Sequence, residues 1–203
     1  NISQDKFYRL GDSENPFYTI ESEALNEGSS TNDYSLSFWL FLGDSYDATE
    51  QHKVIFYRGA PGENSSRSSS ILRLQKDSNP IVVMHKNTNK MMIAVSTSAV
   101  TSTKSLDEIF HQNEAREFDS GYLVGIIDYI PLQRWVHVSI VILENVMRIY
   151  FDGEIYMVAA TSDVPESARP NTTGMLMFRS NTQDVTIGHS FSPRGFTANY
   201  NYA

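Results

Sequence analysis

Residues 134–160, RWVHVSIVILENVMRIYFDGEIYMVAA, constrain the fold more than any other stretch of the chain. Trp135 to Leu143 carries no acidic, Lys or Arg side chain, and Glu144-Asn145 and Asp152-Gly153 then break two further apolar runs. Asp-Gly between alternating apolar runs is the strongest short-range hairpin signal. A type I′ turn needs positive φ at both central residues, and these residue types accept it at least cost. The spacing predicts a three-strand meander: Trp135–Leu143, Val146–Phe151 and Glu154–Ala159. An antiparallel meander with one apolar face needs a second layer to cover that face.

The rest of the chain repeats the pattern. In YSLSFWLFLGD, residues 34–44, Tyr34, Leu36, Phe38, Leu40 and Leu42 fall on one face, and Ser35, Ser37, Trp39 and Phe41 on the other. Alternation of this kind is a strand signature. Because the second face turns apolar at Trp39, this strand is expected to be central and covered on both sides for part of its length. Further strands are predicted at Phe7-Tyr8, Phe17–Ile20, HKVIFYRG (52–59), ILRLQK (71–76), IVVMHK (81–86), KMMIAVSTS (90–98), GYLVGIID (121–128), MLMFRS (175–180), DVTIGHS (184–190) and the final GFTANYNYA. Pro131 cannot donate to a central ladder, so Ile130–Arg134 reads as a bend. One segment departs from the pattern: Ser105 with Glu108 three residues on is a capping-box arrangement, and Leu106, Ile109 and Phe110 share a helical face. It reads as a short helical insertion near 105–116. The class is all-β, a two-sheet antiparallel β-sandwich of jelly-roll type; a closed barrel has the same signature in sequence.

At 203 residues the chain fits one domain, with residues 1–33 a strand-and-loop segment belonging to it and 34–203 the sandwich, its last strand cut at Ala203. The net charge of −8 and pI near 5.1 argue against nucleic acid and anionic membrane surfaces as partners. No apolar run approaches a membrane span, and the residues from Asn1 onward do not read as a charged-then-apolar signal peptide. With no cysteine, disulfides, thiolate metal sites and cysteine nucleophiles are absent, and the composition suits a reducing compartment.

Three segments together resemble a known superfamily. YSLSFWLFLGD is similar to the first core strand of laminin-G-like, concanavalin A-like jelly rolls. RWVHVSIVILENVMRIYFDGEIYMVA resembles their Trp-His-Val strand and the Tyr-x-Asp-Gly hairpin after it. VTIGHSFSPRGFTANYNYA resembles their closing segment. The resemblance covers most of residues 34–202 and implies two antiparallel sheets packed face to face. With IPLQRW before the block and an aromatic tail, it also resembles copies found in minor capsid and other virion proteins of large DNA viruses.

Glucanases of this superfamily carry a Glu-x-Asp-x-Glu strand, whose alternate carboxylates point into one cleft. No such run occurs; the nearest acids, Glu21 with Glu23 and Asp107-Glu108, fall in a loop and in the helical segment. His137 could serve as a base, but its place between Val136 and Val138 favours a structural residue packed on Trp135, with Trp135 filling the gap between the sheets. His52, His85, His111 and His189 are scattered, without metal-ligand spacing. Calcium, implied by laminin-G-like and pentraxin-like relatives, would draw on the loop acids Asp44, Asp47, Asp163 and Asp184. There is no EF-hand-like loop, and no cofactor is otherwise expected. Asn64 and Asn171 are glycosylation sequons in predicted loops. Tyr46, Tyr57, Tyr122, Tyr200 and Tyr202 are the candidate contact residues, since exposed Tyr serves both protein and sugar surfaces. The expected function is therefore a non-catalytic laminin-G-like module acting through protein contacts as a subunit of a large assembly, such as a viral minor capsid protein. The alternative is a lectin-type glycan-binding module, with or without calcium.

Overall fold

A computed structural model of the protein describes residues 17–22, 33–43, 52–59, 79–97, 110, 122–164, 177–178 and 183–188. Its strands are β1 (Phe17–Ile20), β2 (Tyr34–Phe41), β3 (Lys53–Arg58), β4 (Ile81–Met84), β5 (Met91–Ser96), β6 (Tyr122–Ile127), β7 (Trp135–Leu143), β8 (Val146–Phe151), β9 (Glu154–Ala160) and β10 (Val185–Gly188). They form two antiparallel sheets. One has six strands in the order β1-β10-β3-β4-β5-β6, and the other four in the order β2-β7-β8-β9. The fold is a two-sheet β-sandwich, not a single closed barrel.

The meander forms through its turn chemistry. Glu144 and Asn145 take φ of 49° and 68°, and Asp152 and Gly153 take 50° and 88°. Both pairs thus have the double positive φ of a type I′ turn, whose twist matches that of the flanking strands. Alternation along β7 then sorts its side chains: Val136, Val138, Ile140 and Ile142 are buried in the core, and the odd-numbered residues point away.

The core between the sheets gathers Leu40, Val82, Met84, Ile93, Leu123 and Ile149 with their neighbours. Fully burying one such side chain stabilises the fold by roughly 1.5–3 kcal/mol. Gly125 lies across this core from the four-stranded sheet. A Cβ there would sit 2.3 Å from Ile149 Cδ1, with Met157 also in contact. The glycine lets the edge of one sheet close onto the other.

Strands β3 to β6 of the six-stranded sheet are buried on their outer face as well. Val83, Met92, Ala94, Tyr122, Val124 and Phe110 form part of a second cluster there. This is why β4, β5 and β6 read as unbroken apolar runs, with every residue buried. Phe110 has helical backbone, while the rest of the insertion expected near 105–116 lies outside the described residues. The strands expected at Phe7-Tyr8, 71–76 and 195–203 also lie outside them, and of 175–180 only Met177 and Phe178 are described, Phe178 bridging to Thr97.

Two expectations need correction. Among the described residues β2 is an edge strand of the four-stranded sheet, not a central one, and its Trp39 is 57% exposed. Trp135 does not fill the gap between the sheets. It has the opposite parity to Val136 and Val138, so it stands on the outer face and is 43% exposed. Among the described residues no helix is long and apolar enough to cross a membrane.

Candidate functional site

The two sheets treat their outer faces differently. Strands β3 to β6 of the six-stranded sheet hide their outer face in the second apolar cluster, and among the described residues the outer face of the four-stranded sheet stays partly or fully exposed. Strand register arranges that open face in rows. Phe41 pairs across with Trp135, Trp39 with His137, Ser37 with Ser139, and Ser35 with Val141. The last two rows continue across the sheet: Ser139 faces Tyr150 and Val141 faces Arg148, then Tyr150 faces Ile155 and Arg148 faces Val158.

The first two rows make an aromatic platform. The Trp39 and His137 rings have centroids 5.0 Å apart at 46°, and Phe41 and Trp135 lie 5.3 Å apart at 49°. Directly opposite side chains on one sheet face are close enough to interact in this way. Trp39 and Trp135 are the only tryptophans in the chain, and both stand here exposed. The next row is a line of hydroxyls from Ser37, Ser139 and Tyr150. Exposed Ile155 ends this row, Val158 ends the next, and exposed Leu143 lies one row beyond.

Asp152 fixes the platform from the side. Its backbone N–H donates to the His137 carbonyl at 2.8 Å, and its Oδ1 accepts the His137 N–H at 2.8 Å. Its Oδ2 pairs with the Arg134 guanidinium. The residue that turns β8 into β9 thus also holds the start of β7, where Trp135 and His137 sit. His137 is half-buried, and its ring packs on Trp39 rather than on the Trp135 expected from the sequence.

An aromatic ring face carries the negative side of its quadrupole, and it packs well against polarised C–H groups. Hydroxyls beside it can both donate and accept hydrogen bonds. This combination suits a ligand with an apolar face and a polar edge, lying flat on the sheet.

Other candidates from the sequence fall elsewhere. Tyr57 and Tyr122 do not offer contact surface, because both rings are buried in the second cluster, at 7% and 2% exposure. Tyr46, Tyr200 and Tyr202 lie outside the described residues, as do Asp44, Asp47, Asn64, Asn171, His111 and His189. Asp163 accepts the Ala160 N–H at 2.9 Å and Asp184 the Ser22 N–H at 2.7 Å, so the two serve different segments. Among the described residues no three His, Asp or Glu side chains gather as a metal would require. His52 and His85, far apart in sequence, do meet, with ring centroids 5.2 Å apart and Phe110 stacked on His52 at 4.9 Å. Nδ1 of His52 accepts the Lys86 N–H, and Nδ1 of His85 the Asn87 N–H.

No family model matches the chain, and no curated protein sequence matches it. Solved structures do. An alginate lyase matches with TM-score 0.40 and 14% identity over 77% of this chain and 56% of its own. An endo-1,3-beta-glucanase from Streptomyces sioyaensis matches with TM-score 0.38 and 11% identity over 85% and 64%. Sheep galectin-11, in complex with glycerol, matches with TM-score 0.36 and 9% identity over 91% and 100%. The chain thus spans little more than half of the alginate lyase and under two thirds of the glucanase. The likeness is distant and concerns the sandwich alone. The expected virion relationship gains no support from these structures. The expectation of a non-catalytic module is corrected: the sandwiches to which the chain is similar include two enzymes. No catalytic role follows from this for any residue of the chain.

Proposed function

We propose that the protein binds carbohydrate on the outer face of its four-stranded sheet. The observation that carries this reading is the exposed platform of Trp39 and Trp135, backed by His137 and Phe41 and bordered by Ser37, Ser139 and Tyr150. Two exposed tryptophans in adjacent rows of one sheet face are a costly arrangement to leave facing water, and grouped apolar surface of this kind marks binding sites. The opposite sheet cannot serve in the same way where Val83, Met92 and Tyr122 are already covered. The resemblance to lectin-type sandwiches supports the same reading.

A second reading is a protein partner, as for a subunit of a larger assembly, viral or otherwise. Leu143, Ile155 and Val158 favour it, since aliphatic side chains add little to sugar stacking and much to protein interfaces.

The two separate experimentally. Purified protein is screened on a glycan array beside Trp39→Ala, a surface substitution that leaves the core intact. Saccharide binding is expected, with an affinity loss of about tenfold or more in the variant. Binding that survives unchanged in Trp39→Ala, or none to any saccharide, would contradict the reading.

A further inference from the structure

The aromatic platform explains affinity for a ring but not selection among saccharides. A second feature of the same face bears on that. The chain is acidic overall, with 24 Asp and Glu against 16 Lys and Arg. Yet the outward positions of β2, β7, β8 and β9 carry no carboxylate. The single acid within these strands, Glu154, lies opposite Phe151 at the core-facing parity, beside the turn. The one full charge among the outward strand positions is Arg148.

Arg148 sits between Val141 and Val158, and among the described residues no carboxylate lies within ion-pair distance of it. Arg134, the other nearby arginine, is already paired with Asp152. Around the rim, Asp33 Oδ1 is taken up by the Glu144 N–H at 3.0 Å. Arg148 is half-buried as a residue, with valines opposite it on both neighbouring strands, and the planar fork of an arginine matches a carboxylate or sulfate.

Strand geometry fixes the distance between the two features. Arg148 lies opposite Val141, four residues along β7 from His137 of the platform. At about 3.3 Å per residue this is about 13 Å along the strand, with the hydroxyl row of Ser37, Ser139 and Tyr150 between. That span accommodates an oligosaccharide chain: one ring stacked on Trp39, hydroxyls along the middle row, and an acidic group at Arg148.

We propose that the face selects anionic saccharides, with Arg148 as the specificity-determining residue that receives the carboxylate or sulfate. The inference rests on the carbohydrate reading above and deepens it.

The test measures affinity, at low and at physiological salt, for three sets of oligosaccharides of equal length: neutral β-glucans, uronate-containing oligomers and sulfated oligomers. Wild type is compared with Arg148→Gln, Arg148→Lys and Trp39→Ala, each checked for an unchanged melting temperature. Wild type is expected to favour one or both anionic sets by about tenfold over the neutral set. Arg148→Gln should abolish that preference while keeping neutral binding, and Arg148→Lys should restore it in part. Which anionic set is favoured identifies the acidic group. Neutral oligomers bound as well as anionic ones, or a preference that survives Arg148→Gln, overturns the proposal and leaves the carbohydrate reading standing. Polyglutamate competing as well as the uronates would overturn it in favour of an acidic protein segment. If no saccharide binds and Trp39→Ala changes nothing, the carbohydrate reading itself fails.

Discussion

Tyr34 shows how a single side chain ties the two sheets together. It belongs to β2, and its hydroxyl donates to Asn79 Oδ1 at 2.7 Å, just ahead of β4 in the other sheet. The residue as a whole is half-buried, but its hydroxyl end is desolvated. Burial pushes the phenol well above the usual tyrosine range, and the charge of Arg58 offsets this only in part. Unfolded, Tyr34 would ionise near pH 10; folded, it holds its proton far longer. The folded state therefore binds the extra proton, and its stability is full below about pH 10 and falls as the pH rises beyond it. Tyr34→Phe should cost about 1 kcal/mol at neutral pH through the lost hydrogen bond, and should lose stability less steeply than wild type above pH 10. Urea unfolding of both proteins at pH 8 and pH 10.5 checks this; parallel losses would contradict it. Asp152 makes a related point. Its role as turn residue is legible in the Asp-Gly pair, but its grip on Arg134 and the His137 N–H depends on contacts across the hairpin that no local pattern encodes.

Among the elements, the ones most legible in sequence are those whose local chemistry and burial agree. β7, β8 and β9 follow from alternation plus two positive-φ turns, and both are local signals. β4, β5 and β6 were legible as strands, but their burial on both faces depends on the second cluster, which belongs to the whole fold. Trp39 and Trp135 show the limit most clearly. Large aromatic side chains suggest burial, and parity alone identifies two faces without saying which one is covered. In β7 the unbroken aliphatic run is the signal that tells the faces apart: Trp135 is out of phase with Val136, Val138, Ile140 and Ile142. Two bulges were not legible. One shifts register between Val54 and Phe56. The other, between Ile149 and Tyr150, leaves Tyr156 as the extra residue of β9, with its hydroxyl accepting the Asp128 N–H at 3.1 Å. Gly125 tests how the elements pack. Gly125→Val places methyl groups where Ile149 and Met157 already lie, so it should destabilise the fold by about 1–3 kcal/mol through overpacking. Chemical denaturation reads the effect directly; a variant as stable as wild type would mean that the sheets do not close at Gly125.

For the molecule as a whole, the asymmetry between two outer faces matters more than the sandwich that produces it. Sandwiches host many functions, and function must be argued from the site. Here one face is covered, and the other presents an aromatic platform, a hydroxyl row and a lone arginine. Tyr57 and Tyr122, two of the expected contact tyrosines, are buried in the other sheet, because tyrosine count is a compositional signal and exposure is a tertiary one. The chain offers an internal probe: its two tryptophans both stand on the proposed site and nowhere else. Tryptophan fluorescence, titrated with an oligosaccharide that the protein binds, therefore reports directly whether the saccharide lies on this face. A saturable change in emission is predicted, with a midpoint equal to the calorimetric Kd and a reduced amplitude in Trp39→Ala. Calorimetric binding with no change in tryptophan emission would place the ligand elsewhere on the molecule and contradict the account.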